Sequence, residues 1–317
     1  MRYSEYMLPL LHSAADAIIK RIYRSPLYYG RFNNTLSFRI NQAYVQYAHE
    51  CSATYVKEHP GETFDPSPFE TDAATCLHSA FSAQKAQAYS ERITTMIEKQ
   101  SEYVRRIAGL ESLSIEIHTP LRSLGSDLLD VLRASPVDRA LRAFFRGYYR
   151  VESIGVSRSL PSKALTNSWL WHSDSFPPYT CKLFLHLTPT NADRGATEFM
   201  NPADTMAYRH AGYFGQYRDE RYANLQEFAQ AHGLPYRPHH FDAEPGDATL
   251  FNMNFFHRAV APKTKFRDIV HFYFLPSPIP WDEHYAQDPE YLSREKKSGF
   301  PKDPRLDAAP TVSYGMS

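Results

Sequence analysis

Within Trp171-His172-Ser173-Asp174, a histidine and an aspartate stand two positions apart. In an extended chain, side chains at i and i+2 point to the same side, so His172 and Asp174 can reach one metal ion together. His257, in Asn254-Phe255-Phe256-His257-Arg258-Ala259-Val260, is the candidate third ligand. Two imidazoles and one carboxylate leave three positions of a six-coordinate ion open, the donor set of non-haem Fe(II) sites that use O2. Zinc would be content with a closed shell of four ligands. Arg267 follows His257 by ten residues and opens the strand RDIVHFYF. Its guanidinium is permanently charged and can fork onto a carboxylate with two hydrogen bonds.

A histidine followed two residues later by an acid is a weak signal alone. With 14 histidines and 35 acids in 317 residues, chance supplies 14 × 35/317, about 1.5, such pairs. A rival does occur, His240-Phe241-Asp242. Topology separates the two. His172 and His257 are 85 residues apart, room enough for the strands that bring two ends of a barrel together. Between Asp242 and His257 there is one turn and one strand, too little chain for that closure. His240 also lies in a Pro- and His-rich loop, where a surface role is expected.

Lys+Arg and Asp+Glu are both 35, so the formal charge is zero, which argues against a nucleic-acid-binding chain. Hydrophobic residues make up 43% and charged residues 22%, enough apolar mass for a sizeable core. Cys51, Cys76 and Cys181 are too few and scattered for a disulfide framework. Near the N-terminus an apolar run is interrupted by His12 and Asp16 too early for a signal peptide, and no apolar stretch approaches membrane-spanning length. A cytoplasmic protein with no membrane partner is expected.

The elements that must position the candidate site fall into two halves. Apolar residues at helical spacing mark residues 5–23, 84–108 and 121–132, and a further helix opens at Ser135-Pro136-Val137-Asp138, with Ser135 as its cap. Residues 58–72, rich in Pro and acid, read as a loop. From about residue 148 the rhythm becomes short β-rich runs: YYRVESIGVSRSL, YTCKLFLHLTP, GATEFM, GDATLFNM and RDIVHFYFLP. In Cys181–Leu187 the odd positions are Cys and Leu, whereas Lys182, Phe184 and His186 share the other face. This pattern predicts an α+β protein: an antiparallel sandwich or jelly-roll barrel braced from outside by the helices. The expected organisation is a helical region over 1–147, a β core over 148–281 with an insertion at 201–245, and a polar tail over 282–317. A helix is expected near 217–231.

Several residues admit two readings. Arg267 binds an anion or forms an ion pair with Asp268 or Glu244. Lys182 assists a cosubstrate carboxylate or snorkels to the rim. Thr197 and His271 line a pocket or simply pack. Arg139, Arg142, Arg146 and Arg150 grip an anionic substrate or form a solvated helix face. Tyr208, Tyr213, Tyr217 and Tyr222 form a lid or an aromatic core.

From Trp171 to about Leu275 the chain resembles the Fe(II)/2-oxoglutarate-dependent oxygenase superfamily, most nearly its phytanoyl-CoA dioxygenase-like branch. The likeness rests on WHSD, KLFLHLTP, the Gly195-Ala196-Thr197 turn, PGDATLF, His257 and Arg267. After the glycine turn the chain reads Glu198-Phe199-Met200-Asn201-Pro202, where phytanoyl-type sequences usually carry Pro-Gly-Ser-His. GATEF is closer to prolyl-hydroxylase-like members. The resemblance implies a double-stranded β-helix (cupin-like) core, with His172, Asp174 and His257 as catalytic iron ligands and Arg267 as the 2-oxoglutarate anchor. It also implies O2 as cosubstrate and a small-molecule substrate that is hydroxylated, desaturated or cyclised, with release of succinate and CO2. The alternatives are an iron oxygenase that does not use 2-oxoglutarate and a non-catalytic jelly-roll binding protein.

Overall fold

The computed structural model describes residues 42–163, 165–174, 179–215 and 220–293. The expected helix at 5–23, Tyr217 and the tail from 294 lie outside these residues. The architecture is mixed helix and antiparallel sheet. Seven strands form one sheet in the order β1-β7-β5-β9-β4-β3-β2, and β6 pairs with β8 in a smaller one. Their ranges are β1 Ala74–Leu77, β2 Val104–Arg105, β3 Ser114–Ile117, β4 Tyr149–Ser159, β5 Cys181–His186, β6 Glu198–Phe199, β7 Ala248–Asn252, β8 His257–Arg258 and β9 Arg267–Pro276. Single bridges extend the small sheet, from His172 to His257 on one side and from Phe199 to His239 on the other.

The alternation read in β5 is carried across the large sheet. Cys181, Leu183 and Leu185 join Val270, Phe272 and Phe274 of β9 in one apolar cluster. Against them pack Ala86, Tyr89, Ile93 and Met96 of α2 (Ala83–Glu98), together with Val137, Leu141 and Phe145 of α4 (Ser135–Phe145). Helices therefore cover one face of the sheet. On the opposite face, Phe251 of β7 meets Phe199 and His257 of the small sheet, with ring centroids 5.2 and 5.1 Å apart. The site lies on this inner side.

Several local expectations need correction. The first half is not purely helical, because β1, β2 and β3 lie within it and lengthen the large sheet at both edges. The helix expected to run to 108 ends at Glu98, with Gln100 in the left-handed region at φ 48°. There Gln100 N–H reaches the Ile97 carbonyl and Ser101 N–H the Met96 carbonyl, a Schellman closure that leaves Val104 and Ile107 outside the helix. At the start of α4 the cap is Ala134, not Ser135, and no side chain caps it. The C-terminal region begins with α7 (Trp281–Gln287), whose Trp281 is buried, rather than as a featureless tail.

The segment 121–132 divides into a one-turn helix α3 (Pro120–Ser123) and a 3-10 stretch over Ser126–Arg133. The 201–245 insertion carries α5 (Pro202–His210) and α6 (Gln226–His232), so its second helix starts later than expected. Among the described residues the remaining α-helix, α1, spans Gln42–Glu58.

Candidate metal centre

His172 and His257 exchange both backbone hydrogen bonds, at 3.0 and 2.9 Å, so they sit directly opposite each other. Direct opposition puts their side chains on the same face, with ring centroids 4.4 Å apart. Asp174, two residues on, is anchored by its N–H on the Met253 carbonyl at 2.9 Å and joins the two rings. One ligand atom from each of the three lies within 4.8 Å of the others. His172 Nε2 is 3.5 Å from Asp174 Oδ1, and His257 Nε2 is 3.6 Å from Oδ2.

The tautomers follow from the partners. His172 Nδ1 faces the Leu170 carbonyl at 2.7 Å, and His257 Nδ1 faces the Phe255 carbonyl at 2.9 Å. A carbonyl can only accept, so each Nδ1 carries the proton and each Nε2 presents a lone pair to the centre. Burial, helped by the neighbouring His257 ring, pushes His172 down to about 4 against the pull of Asp174. Burial would raise Asp174, but the Lys182 ammonium holds its carboxyl well below the ordinary carboxylate range. The trio is thus a neutral His172 imidazole and a carboxylate, joined by a second imidazole whose Nδ1 proton is held by a carbonyl.

Lys182 does not snorkel to the rim. Its Nζ donates to Asp174 Oδ2 at 2.8 Å and lies 4.5 Å from the centroid of Tyr273, 5.5 Å from that of Phe251 and 5.9 Å from that of Phe184. Burial works to lower its pKa, but Asp174 and Tyr273 outweigh burial and hold the ammonium protonated above its usual value. These rings surround the ammonium because Lys182 is directly opposite both Phe251 and Tyr273 in the ladder. The sequence reading missed Phe251 and Tyr273. The period-two alternation of RDIVHFYF, which puts Arg267, Ile269, His271 and Tyr273 on one face, was the available signal for Tyr273.

Arg267 begins β9 and is 2% exposed. Its Nη atoms donate to the Gly195 carbonyl, to Thr197 Oγ1 at 3.3 Å and to Ser159 Oγ at 3.3 Å, while Nε has no partner. Burial alone pushes it down to about 10. Neither expected acid neutralises it. Asp268 points to the opposite face, where it makes a two-pronged pair with Arg158 at 2.8 and 2.6 Å and accepts from Ser90 at 2.6 Å. Glu244 is exposed. Thr197 is therefore a neighbour of the guanidinium rather than a packing residue. His186, held between the hydroxyls of Thr190 and Thr249, is pushed down to about 3 by burial and then by Arg267.

The inner face of β4 is narrow. Ser153, Gly155, Ser157 and Ser159 stand opposite Tyr273, His271, Ile269 and Arg267. A Cβ on Gly155 would lie 2.0 Å from His271 Cε1, so the imidazole occupies the space of the missing side chain. A cavity of about 290 Å³ borders this point, lined by Arg105, Glu116, His118, Ser153, Gly155 and His271 among others. The insertion supports the ligand strand from behind. Tyr213 donates to the Trp171 carbonyl at 2.6 Å, and a Cβ on Gly215, at φ 62°, would lie 2.9 Å from His172 Cα.

The remaining candidates lie apart from the centre. His240 and Asp242 pair with each other at 3.4 Å, with Asp242 well exposed. Arg142 pairs with Asp138, Arg139 with Asp65 and Arg146 lies over the Phe64 ring, while Arg150 is buried on β4, so the four arginines form no common binding stripe. Tyr208 and Tyr213 belong to a buried cluster with Trp171 and Phe256, which makes them core rather than lid. Tyr222 is 49% exposed and packs against Tyr213.

The backbone can be compared with solved structures. Solved structures similar to this chain include three with a metal bound. One is the epimerase SnoN in complex with Fe3+, alpha ketoglutarate and nogalamycin RO, 14% identical over 72% of this chain and 83% of that one, TM-score 0.45. A second is HygX from Streptomyces hygroscopicus with nickel and 2-oxoglutarate bound, 11% identical over 67% and 86%, TM-score 0.45. A third is EctD from S. alaskensis with bound Fe, 14% identical over 68% and 80%, TM-score 0.45. No family model and no curated protein matches the sequence. Among the described residues no helix is long and apolar enough to cross a membrane.

Proposed function

We propose that this protein is an Fe(II)- and 2-oxoglutarate-dependent oxygenase acting on a small molecule. One observation carries the reading: two imidazoles with Nδ1 protons committed to carbonyls offer their Nε2 lone pairs beside one carboxylate. A three-donor N/N/O set suits ferrous iron with open positions. Arg267 fits a 2-oxoglutarate carboxylate, because it is a buried guanidinium with an unpartnered Nε and, among the described residues, no acid that balances it. The strand orders, β7-β5-β9-β4 in the large sheet and 172-β8-β6-239 across the small one, support a double-stranded β-helix core.

When bound there, iron and 2-oxoglutarate supply oxidative decarboxylation to succinate and CO2, with oxidation of a substrate C–H bond by O2. The chain's own residues prepare this chemistry. His172, His257 and Asp174 hold the metal, and the Leu170 and Phe255 carbonyls fix the two rings in the ligating tautomer. Lys182 donates to Asp174 Oδ2 and so fixes the orientation of the carboxylate beside the two rings. Arg267, steadied by Gly195, Thr197 and Ser159, orients the far carboxylate of 2-oxoglutarate. Asp174 keeps a carboxylate where halogenating relatives carry a small residue, which favours hydroxylation, desaturation or ring closure.

The test is anaerobic addition of Fe(II) and 2-oxoglutarate. The expected result is a weak visible metal-to-ligand band in the wild type and none in His172→Ala. No band in the wild type refutes the reading. Oxygen uptake without succinate would instead assign an iron oxygenase that does not use 2-oxoglutarate, and the absence of stoichiometric metal would assign a binding protein.

A further inference from the structure

A second trio of metal-ligating side chains converges away from this centre, where edge strand β1 meets the turn before β7. Cys76 lies on β1, His78 just beyond its end and Asp247 at the foot of β7, each with a ligand atom within 4.8 Å of the other two. Cys76 and His78 are two residues apart, and such a pair in extended chain shares one side. The Cys76 position is directly opposite Thr249, two residues beyond Asp247. His78 Nδ1 is 3.0 Å from Asp247 Oδ2.

Two turns are locked together to make this meeting. Ser79 N–H donates to Asp247 Oδ1 at 2.8 Å, Glu244 N–H to Oδ2 at 3.0 Å, and Phe81 N–H to the Gly246 carbonyl at 2.9 Å. Ser79 is held at φ 52°, which a serine rarely adopts. A Cβ on Gly246, at φ 95°, would meet the Phe81 carbonyl at 2.5 Å. The approach is too close for any other residue. Each carboxylate oxygen has two lone pairs, so the backbone bonds leave Asp247 with acceptor capacity to spare. The Asp247 side chain is 10% exposed and that of His78 71%, so the trio is anchored at one end and open to solvent at the other.

We propose that Cys76, His78 and Asp247 form a zinc site, with water in the fourth position, that ties the sheet-edge strand to the turn before β7. A thiolate, an imidazole and a carboxylate are zinc's usual ligands, and a thiolate selects zinc over the harder divalent ions. In the metal-free protein, burial and then Asp247 hold the Cys76 thiol up at about 11. A bound cation reverses that preference, and binding releases the proton. The proposal is independent of the oxygenase reading, because no residue is shared.

The test uses the full-length reduced protein and Co(II) as a spectroscopic stand-in for zinc, under anaerobic conditions. The expected result is a near-ultraviolet thiolate-to-cobalt band that zinc abolishes. It should persist in the double variant His172→Ala/Asp174→Ala and disappear in Cys76→Ser. Because His78 is exposed, His78→Ala should fold normally and weaken cobalt binding by at least about tenfold, the lower end of what losing even a supporting partner costs. Zinc should raise the Tm of the double variant by mass action and leave the triple variant with Cys76→Ser unmoved. Absence of the band in the wild type overturns the proposal. So does a band that survives Cys76→Ser, which would come from Cys51 or Cys181, or equal zinc stabilisation of the double and triple variants.

Discussion

Replacing Arg267 by methionine separates the two effects of a buried guanidinium. In the metal-free protein the group is pushed down to about 10 from an ordinary 12.5 by burial alone. At 1.36 kcal/mol per pH unit, the buried charge is disfavoured by about 3 kcal/mol. A bound dicarboxylate recovers that free energy by supplying the missing countercharge and accepting the unpartnered Nε–H. About 3 kcal/mol corresponds to roughly 100-fold in dissociation constant. Arg267→Met should therefore weaken 2-oxoglutarate binding by about two orders of magnitude, read from anaerobic titration of the Fe(II) visible band. Fe(II) binding itself, followed by equilibrium dialysis, should be unchanged, because Arg267 touches none of the three ligands. Urea unfolding of the metal-free variant should show little loss of stability, since the released burial penalty offsets the hydrogen bonds to Gly195, Thr197 and Ser159. Arg267→Lys should lie between wild type and Arg267→Met, with the charge kept and the fork lost. Unchanged 2-oxoglutarate affinity in Arg267→Met would refute the assignment. Loss of Fe(II) binding along with 2-oxoglutarate would show that the residue acts through the fold.

On the opposite face of β9, Asp268→Asn removes the charged partner of buried Arg158 and should cost about 3–5 kcal/mol in urea unfolding. Gly155→Ala should displace the His271 ring, destabilising the protein by about 1–3 kcal/mol and narrowing the adjoining cavity. Differential scanning calorimetry and a structure of the variant check both consequences. The pH dependence follows from three buried neutral histidines: His172, pushed down to about 4, and His186 and His271, pushed down to about 3. Each binds its proton more readily in the unfolded chain, so the stability they contribute is present above about pH 6.5. It should fall with acidification towards pH 3–4, by up to about 1.4 kcal/mol per pH unit for each histidine. A metal-free protein with the same urea midpoint at pH 7 and pH 5 would contradict this account.

The sequence pattern located β4, β5, β7 and β9, because each is a run of β-formers bounded by turn residues, with alternating polarity in several of them. It also singled out the three residues that converge, since same-side spacing and chain length restrict which His-x-acid pair can meet a distant histidine. The end of α2 was hidden for a local reason. Gln100 adopts the left-handed position usually given to Gly or Asn, so nothing in the letters marks the stop before apolar Val104 and Ile107. Strands β1, β2 and β3 have four, two and four residues, too few to establish a period, and they form by pairing with the ends of longer strands. The aromatic surround of Lys182 depends on which residues of β7 and β9 stand opposite it, a matter of register that no single segment encodes.

One irregularity in β4 links the fold to the site. Tyr149 and Val151 face the helices, and so do Ile154 and Val156, an odd pair followed by an even pair. Strict alternation forbids that change of parity. The ladder to β9 accommodates it with a bulge: Val151 pairs with Phe274 and Ser153 with Tyr273, which leaves Glu152 as the extra residue. Beyond the bulge the inner positions become Ser153, Gly155, Ser157 and Ser159. The space left by Gly155 receives the His271 ring, and Ser159 accepts from Arg267. Had the alternation run unbroken, Ile154, Val156 and Arg158 would point inward and Gly155 outward. Arg158 would then lose Asp268, and the inner face would carry a second guanidinium beside the first. The fixed parity of β9, with Arg267 inside and Asp268 outside, therefore has a matching partner in β4 only because of that single inserted residue.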